Sequence, residues 1–133
     1  MATRTAAERR LEAKADYDAY LASCPSRQLL ATLSDKWVAL VVCALGERGH
    51  RYSELSTRLA GVSQKMLTQT LRSLERDGLV DRAVTASVPP RVDYSLTALG
   101  RSLLDPIQHV KAWAELNMTA VDQARAGYDR VSA

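Results

Sequence analysis

Arg51-Tyr52-Ser53-Glu54-Leu55, followed by Gly61-Val62-Ser63-Gln64-Lys65-Met66-Leu67-Thr68-Gln69-Thr70-Leu71-Arg72-Ser73-Leu74-Glu75-Arg76-Asp77-Gly78-Leu79-Val80, carries the outline of the fold. Ser53 can cap a short helix over residues 54–60, with Leu55 and Leu59 turned inward. Gly61-Val62 makes a tight turn. Ser63 can cap a second helix over residues 64–77, and Gly78 ends it. Residues 79–84 and 91–96 then read as two strands. In the second, Val92, Tyr94 and Leu96 alternate with Arg91, Asp93 and Ser95, as in a half-buried strand. Residues 85–90 form the tip, stiffened by Pro89-Pro90. Two short helices separated by a tight turn are followed by an arginine-bearing hairpin, and a chain built this way can lay its second helix in a DNA groove. The fold class is mainly α with a small β-hairpin.

The second short helix has two chemically distinct faces. Leu67, Leu71 and Leu74 lie at i, i+4 and i+7, a narrow apolar stripe that docks on a core. Gln64, Lys65, Thr68, Gln69 and Arg72 lie on the other face, which carries amides, a hydroxyl and cations but no carboxylate. Gln pairs with an adenine edge, Arg or Lys with guanine, and Thr touches a thymine methyl. The first turns of such a helix meet the base edges. Glu75 and Asp77 are expected at the far end, away from phosphates. Ser63, Gln64, Lys65, Thr68, Gln69 and Arg72 are therefore the candidate DNA-reading residues. Arg82 and Arg91 flank the hairpin and could reach phosphates or a minor groove. The competing reading is an ordinary amphipathic helix with a solvated polar face.

Outward from this segment the chain is helical. Residues 5–22 are rich in Ala, Glu, Arg and Lys, strong helix formers, and read as an N-terminal helical arm (residues 1–22) or as a frayed tail. Cys24-Pro25 opens a short helix with Leu29, Leu30 and Leu33 at helical spacing, since Pro25 suits a first helical position. Residues 37–47 are apolar almost all round, so they should form the central buried helix, with Trp37 and Cys43 in the core. Thr97 can cap a last long helix carrying Leu99, Leu103, Ile107, Val110 and Trp113 in one stripe. Pro106 should kink that helix or start a new one. Beyond Met118 the chain turns polar and is expected to fray. The organisation read from this is an arm (1–22), a central domain that ends in the long C-terminal helix (23–118) and a tail (119–133).

Charge distribution supports a nucleic-acid partner. The net charge is +3, and residues 48–91 hold eight of the eighteen cations against four of the fifteen acids. The positive excess thus sits on the segment whose pattern suggests DNA binding, as phosphate neutralisation requires. No apolar run is long enough to span a bilayer, and residues 1–22 lack the apolar core of a signal peptide, so a cytoplasmic protein is expected. Cys24 and Cys43 do not make a disulfide framework. His50 and His109 stand alone, without zinc spacing. There is no nucleophile–base set and no phosphate-binding glycine loop, so neither an enzyme nor a cofactor is implied. A winged-helix protein-interaction module is the remaining alternative.

At these residues the chain resembles the HxlR family of winged helix-turn-helix transcriptional regulators, relatives of the MarR-type proteins. The marks are Cys24-Pro25, Asp35-Lys36-Trp37, Arg51-Tyr52-Ser53-Glu54-Leu55, the run from Ser63 through Gln69, Leu71-Arg72-Ser73-Leu74-Glu75-Arg76-Asp77-Gly78-Leu79-Val80, Val88-Pro89-Pro90-Arg91-Val92 and Tyr94-Ser95-Leu96-Thr97. Many members have Gly-Gly before Lys-Trp, where this chain has Ser34-Asp35. The resemblance implies a homodimer joined by N- and C-terminal helices on a near-palindromic operator of double-stranded DNA, more often a repressor than an activator. In several relatives the cysteine before the proline senses oxidants or electrophiles. Cys24 would sit at a helix N-cap, where the dipole and free N–H groups favour a thiolate. Cys24 thus stands either as a redox switch or as a plain, partly buried thiol. The effector is an oxidant or a small molecule.

Overall fold

The computed structural model describes residues 3–132. The backbone groups into two compact units, Met1–Lys36 and Trp37–Ala133. The first unit is a helix pair, α1 (Ala6–Ser23) and α2 (Pro25–Leu33). The capping box of α1 is complete: Thr5 Oγ1 accepts from the Glu8 N–H at 3.1 Å, and the Glu8 carboxylate accepts from the Thr5 N–H at 3.0 Å. This satisfies two of the donors that a helix start leaves free. Neither helix has a fully buried residue, and Leu11, Tyr17, Tyr20, Leu29 and Leu30 are all exposed.

The second unit is built on α3 (Lys36–Glu47), whose Val38, Val41, Val42, Ala44 and Leu45 are buried. Trp37 and Cys43, expected in the core, are only half-buried, and Leu40 is exposed. The helix is apolar all round in sequence but buried on one side only, because a single stripe meets the rest of the unit. Strand β1 (His50–Arg51) follows, then α4 (Tyr52–Arg58), α5 (Gln64–Arg76), β2 (Val80–Thr85), β3 (Arg91–Leu96) and α6 (Ala98–Ser132). The three strands form an antiparallel sheet in the order β1-β3-β2. His50 opposes Tyr94 and Arg51 opposes Asp93, while β2 and β3 pair from Val80 with Leu96 to Thr85 with Arg91.

Three local expectations change. Ser53 does not cap α4. The helix starts two residues earlier, at Tyr52, and Glu54 reaches back to accept the Arg51 N–H at 3.2 Å. Arg51 has no side-chain acceptor, so that single bond is the cap. The hydroxyl of Ser53 is left exposed, and its carbonyl takes the Thr57 hydroxyl at 3.0 Å.

Of the two alternatives for Pro106, a kink or a new helix, the second does not occur: it lies inside one helix of 35 residues. Proline at that site deprives the Ser102 carbonyl of its helical donor. Both residues are exposed, so water can serve instead. The helix also continues past Met118, where a frayed tail is expected from composition. Thr119–Ser132 contains no proline and several strong helix formers, and an Asp122–Arg125 pair at 3.4 Å links successive turns. Thr97 does cap α6 as read, accepting from the Gly100 N–H at 3.0 Å and donating to the Gly78 carbonyl at 2.6 Å.

Gly100 marks the closest packing in this unit. A Cβ there would lie 2.0 Å from the Leu79 carbonyl oxygen, a backbone atom that cannot step aside. Gly78 and Gly61 serve differently. They take φ of +75° and +90°, which L side chains adopt rarely. The first stops α5, and the second lets α4 turn into α5.

Candidate nucleic-acid interface

Helix α5 presents its face as its sequence requires. Ser63 Oγ accepts the Met66 N–H at 3.1 Å, so the start of the helix is fixed by its cap. Leu67, Leu71 and Leu74 are fully buried, with Thr70 as a fourth inward position. On the opposite side Lys65, Gln69 and Arg72 are exposed. Arg76, also exposed, stands at i+11 from Lys65 and completes that row. The expected site omits it, although the periodicity that selects Lys65, Gln69 and Arg72 points to it directly.

Gln64 and Thr68 lie at the edge of this face. The Tyr52 hydroxyl donates to the Gln64 carbonyl at 3.1 Å. Its oxygen lies 3.1 Å from Thr68 Oγ1. With the single tyrosine proton given to Gln64, the Thr68 hydroxyl is the donor in the second bond. Thr68 is half-buried and gives its hydroxyl proton to Tyr52, which leaves its methyl and the acceptor capacity of its oxygen. Tyr52 itself carries no signal of this role in the sequence. Its part, tying α4 to the first turn of α5, depends on a partner twelve residues away.

The wing residues divide. Arg82 on β2 is exposed and lines a groove of about 290 Å³ with Thr68, Arg72 and Glu75, over Tyr52 and Tyr94. Glu75 shares this groove with Arg72 and Arg82. Arg91 is held by Asp93 through two bonds, Nε to Oδ2 at 2.9 Å and Nη2 to Oδ1 at 3.1 Å. The hydrogen bond to Asp93 raises the pKa of Arg91 further above the guanidinium value, keeping it charged.

Charge pairing separates the eight cations of residues 48–91. Arg48 is bound by Glu54 at 3.1 Å, Arg58 by Glu47 and Arg91 by Asp93. Among the described residues, Arg51, Lys65, Arg72, Arg76 and Arg82 have no ion pair or side-chain hydrogen bond, and Lys65, Arg72 and Arg76 lie on the outer face of α5. Unpaired cations raise the local potential for anions, whereas a paired one contributes little at range.

His50 belongs to the packing of this unit. It is buried on β1 with Nε2 3.2 Å from the Ala44 carbonyl, while Nδ1 has no hydrogen-bond partner among the described residues and lies 3.8 Å from Glu54. Cys43 is a half-buried thiol on α3 whose pKa burial pushes up, away from thiolate chemistry. Cys24 is free and half-buried at the N-cap of α2, followed by Pro25 in the first turn. No three His, Cys, Asp or Glu side chains among the described residues converge on a metal-sized site. No single helix among them is long and apolar enough to cross a membrane.

Comparison with known proteins agrees with this geometry. The chain is 43% identical over 98 residues to YtfH of Escherichia coli K12, described as an uncharacterised HTH-type transcriptional regulator, covering 74% of this chain and 78% of that one. The structure resembles that of a transcriptional regulator ytfH from Salmonella typhimurium, with a TM-score of 0.72, 41% identity and coverage of 78% and 93%. It also resembles the redox regulator HypR in its reduced form, with a TM-score of 0.71, 34% identity and coverage of 74% and 98%. The fold and the relatives are those of transcriptional regulators, not of enzymes. Residues 32–122 match the model of the HxlR-like helix-turn-helix family, and the chain belongs to that family of DNA-binding winged helix-turn-helix proteins.

Proposed function

We propose that the protein is a homodimeric repressor that reads a near-palindromic operator with α5 in the major groove. The observation that carries this reading is the outer row of α5: Lys65, Gln69, Arg72 and Arg76 are exposed, and its three cations have no ion pair among the described residues. Ser63 and Gln64 stand at the entry of the helix, Thr68 offers its methyl, and Arg82 and Arg91 extend the interface from the wing. A dimer places two such helices in successive major grooves, about 34 Å apart. Support for a dimer comes from apolar residues left in solvent on α6: Val110, Trp113, Leu116, Tyr128 and Val131. Val110, Trp113 and Leu116 follow one another at three-residue spacing on the helix, and clustered exposed apolar side chains mark interaction surfaces.

The test is a duplex-binding series with the native chain and the pair Gln69→Ala and Arg72→Ala. Removing one bidentate pairing with a base should cost about 1–3 kcal/mol of discrimination, while the melting curve stays close to native. Unchanged operator affinity in the double variant would reject α5 as the reader.

A second reading concerns the signal. Cys24, free at the N-cap of α2, is the regulatory thiol, and its oxidation to a sulfenic acid or an interchain disulfide changes operator affinity. That HypR is a redox regulator of similar fold supports this. Binding is measured with and without a thiol oxidant for the native chain and Cys24→Ser. A native response that Cys24→Ser lacks assigns the switch; the same response in both assigns it elsewhere.

A further inference from the structure

We propose that Asp93 is a positioning residue that turns Arg91 into an oriented reader of DNA, rather than a loose neutraliser of phosphates. The inference rests on the DNA-binding reading given above.

The geometry is specific. Arg91 and Asp93 are i and i+2 on β3, so both project from the same face of the strand. Asp93 takes the side edge of the guanidinium, with Nε at 2.9 Å and Nη2 at 3.1 Å from its two oxygens. A guanidinium has a second two-donor edge, formed by Nη1 and the remaining hydrogen of Nη2. Asp93 leaves that end-on edge open. The partner on its other side does not compete for it: Thr85 opposes Arg91 in the β2–β3 register. Arg51, unpaired by any hydrogen bond or ion pair among the described residues, opposes Asp93 across β1–β3. The carboxylate therefore stands between two arginines and is bound to only one.

Two consequences follow. Holding the side chain in one rotamer removes much of the ordering cost that a free arginine meets on binding. The Arg91–Asp93 pair is also neutral as a unit, so it adds little to long-range attraction and little to the salt dependence of binding. Arg91 should thus contribute to specificity out of proportion to its contribution to non-specific affinity. A wing arginine without such a partner, such as Arg82, should do the reverse.

The experiment uses the full chain, a duplex of about 25 base pairs selected from a random pool by the native protein, and a scrambled duplex of equal length. Affinities are measured across a salt series for native, Asp93→Ala, Asp93→Glu, Arg91→Ala and the double variant Arg91→Ala/Asp93→Ala. Asp93→Ala should bind scrambled DNA more tightly, steepen the salt slope by about one phosphate equivalent, and lower the specific-to-scrambled ratio about tenfold. Asp93→Glu, which keeps a carboxylate, should recover most of the ratio. In the Arg91→Ala background, loss of Asp93 should leave the ratio unchanged, since the carboxylate acts on it through Arg91. A ratio that Asp93→Ala leaves intact, or lowers equally in both backgrounds, overturns the proposal while native binding stands. A native protein that selects no sequence and binds without salt dependence overturns the DNA reading itself, and this proposal with it.

Discussion

Helices α5 and α6 are both striped, yet only one stripe finds its partner within the folded unit. In α5, Leu67, Leu71 and Leu74 are at or below 1% exposure. In α6, Ile107 and Gly100 are the buried residues, while Val110 stays 70% exposed and Leu116 83%. An apolar stripe drives packing wherever a complementary face exists. The core formed by α3, α4 and the sheet supplies that face for α5, and the remaining length of α6 runs beyond it. At 1.5 Å per residue, its 35 residues extend over about 50 Å, more than the unit's core can cover. The stripe of α5 serves the fold and leaves its outer face in solvent, while much of the stripe of α6 is itself left in solvent.

The largest effect should come from breaking the α5 stripe. Leu67→Ala removes a fully buried side chain and should destabilise the protein by about 2–5 kcal/mol, read as a fall in the denaturant midpoint. Operator binding should then fail for lack of a folded helix. The matching change on α6, Val110→Asp, should cost less than about 0.5 kcal/mol in the stability of the isolated chain, as surface substitutions do. It should instead shift sedimentation from dimer to monomer, because a dimer seam would bury an unpaired charge. If Val110→Asp unfolds the chain as strongly as Leu67→Ala, the α6 stripe packs on its own unit and the contrast disappears.

How much of this is legible in the sequence follows from the range of the interactions involved. The Ser63 cap, the Gly61 turn, the Gly78 stop and the alternation of β3 are local signals, and the structure reproduces them. The family motif lies on the same residues. The features that differ from expectation have longer reach. The proton of the Thr68 hydroxyl is taken up by Tyr52, sixteen residues away. Glu75 reaches the groove of Arg72 and Arg82 only once β2 folds back beside α5. Arg76 is within reach of the periodicity alone. The segment beyond Met118 stays helical because helix propensity outweighs its polar composition.

The smallest effect tests how α5 is held from behind. Helix α4 is anchored by Glu54, whose carboxylate caps the Arg51 N–H and binds Arg48, and Tyr52, at the start of that helix, pins the first turn of α5. Those bonds, the backbone one first, lower the pKa of Glu54 below the ordinary 4.5 of the free carboxyl. A carboxyl whose folded pKa is depressed contributes stability that is present above the unfolded pKa and is lost as pH falls through the folded value. The window therefore opens near pH 4.5 and extends downward. Glu54→Gln keeps an oxygen for the cap but gives up the charge. It should be slightly less stable than native at neutral pH, and the two stability curves should draw together as pH falls through that window. The stripe of α6, with no such carboxylate in its packing, should make no contribution there: Val110→Asp adds a solvent-exposed acid that titrates alike in both states of an isolated chain. A constant gap between native and Glu54→Gln down to about pH 3, well below the free carboxyl value, would mean that the cap holds α4 by its hydrogen bond alone, and that α5 draws nothing from the charge behind it.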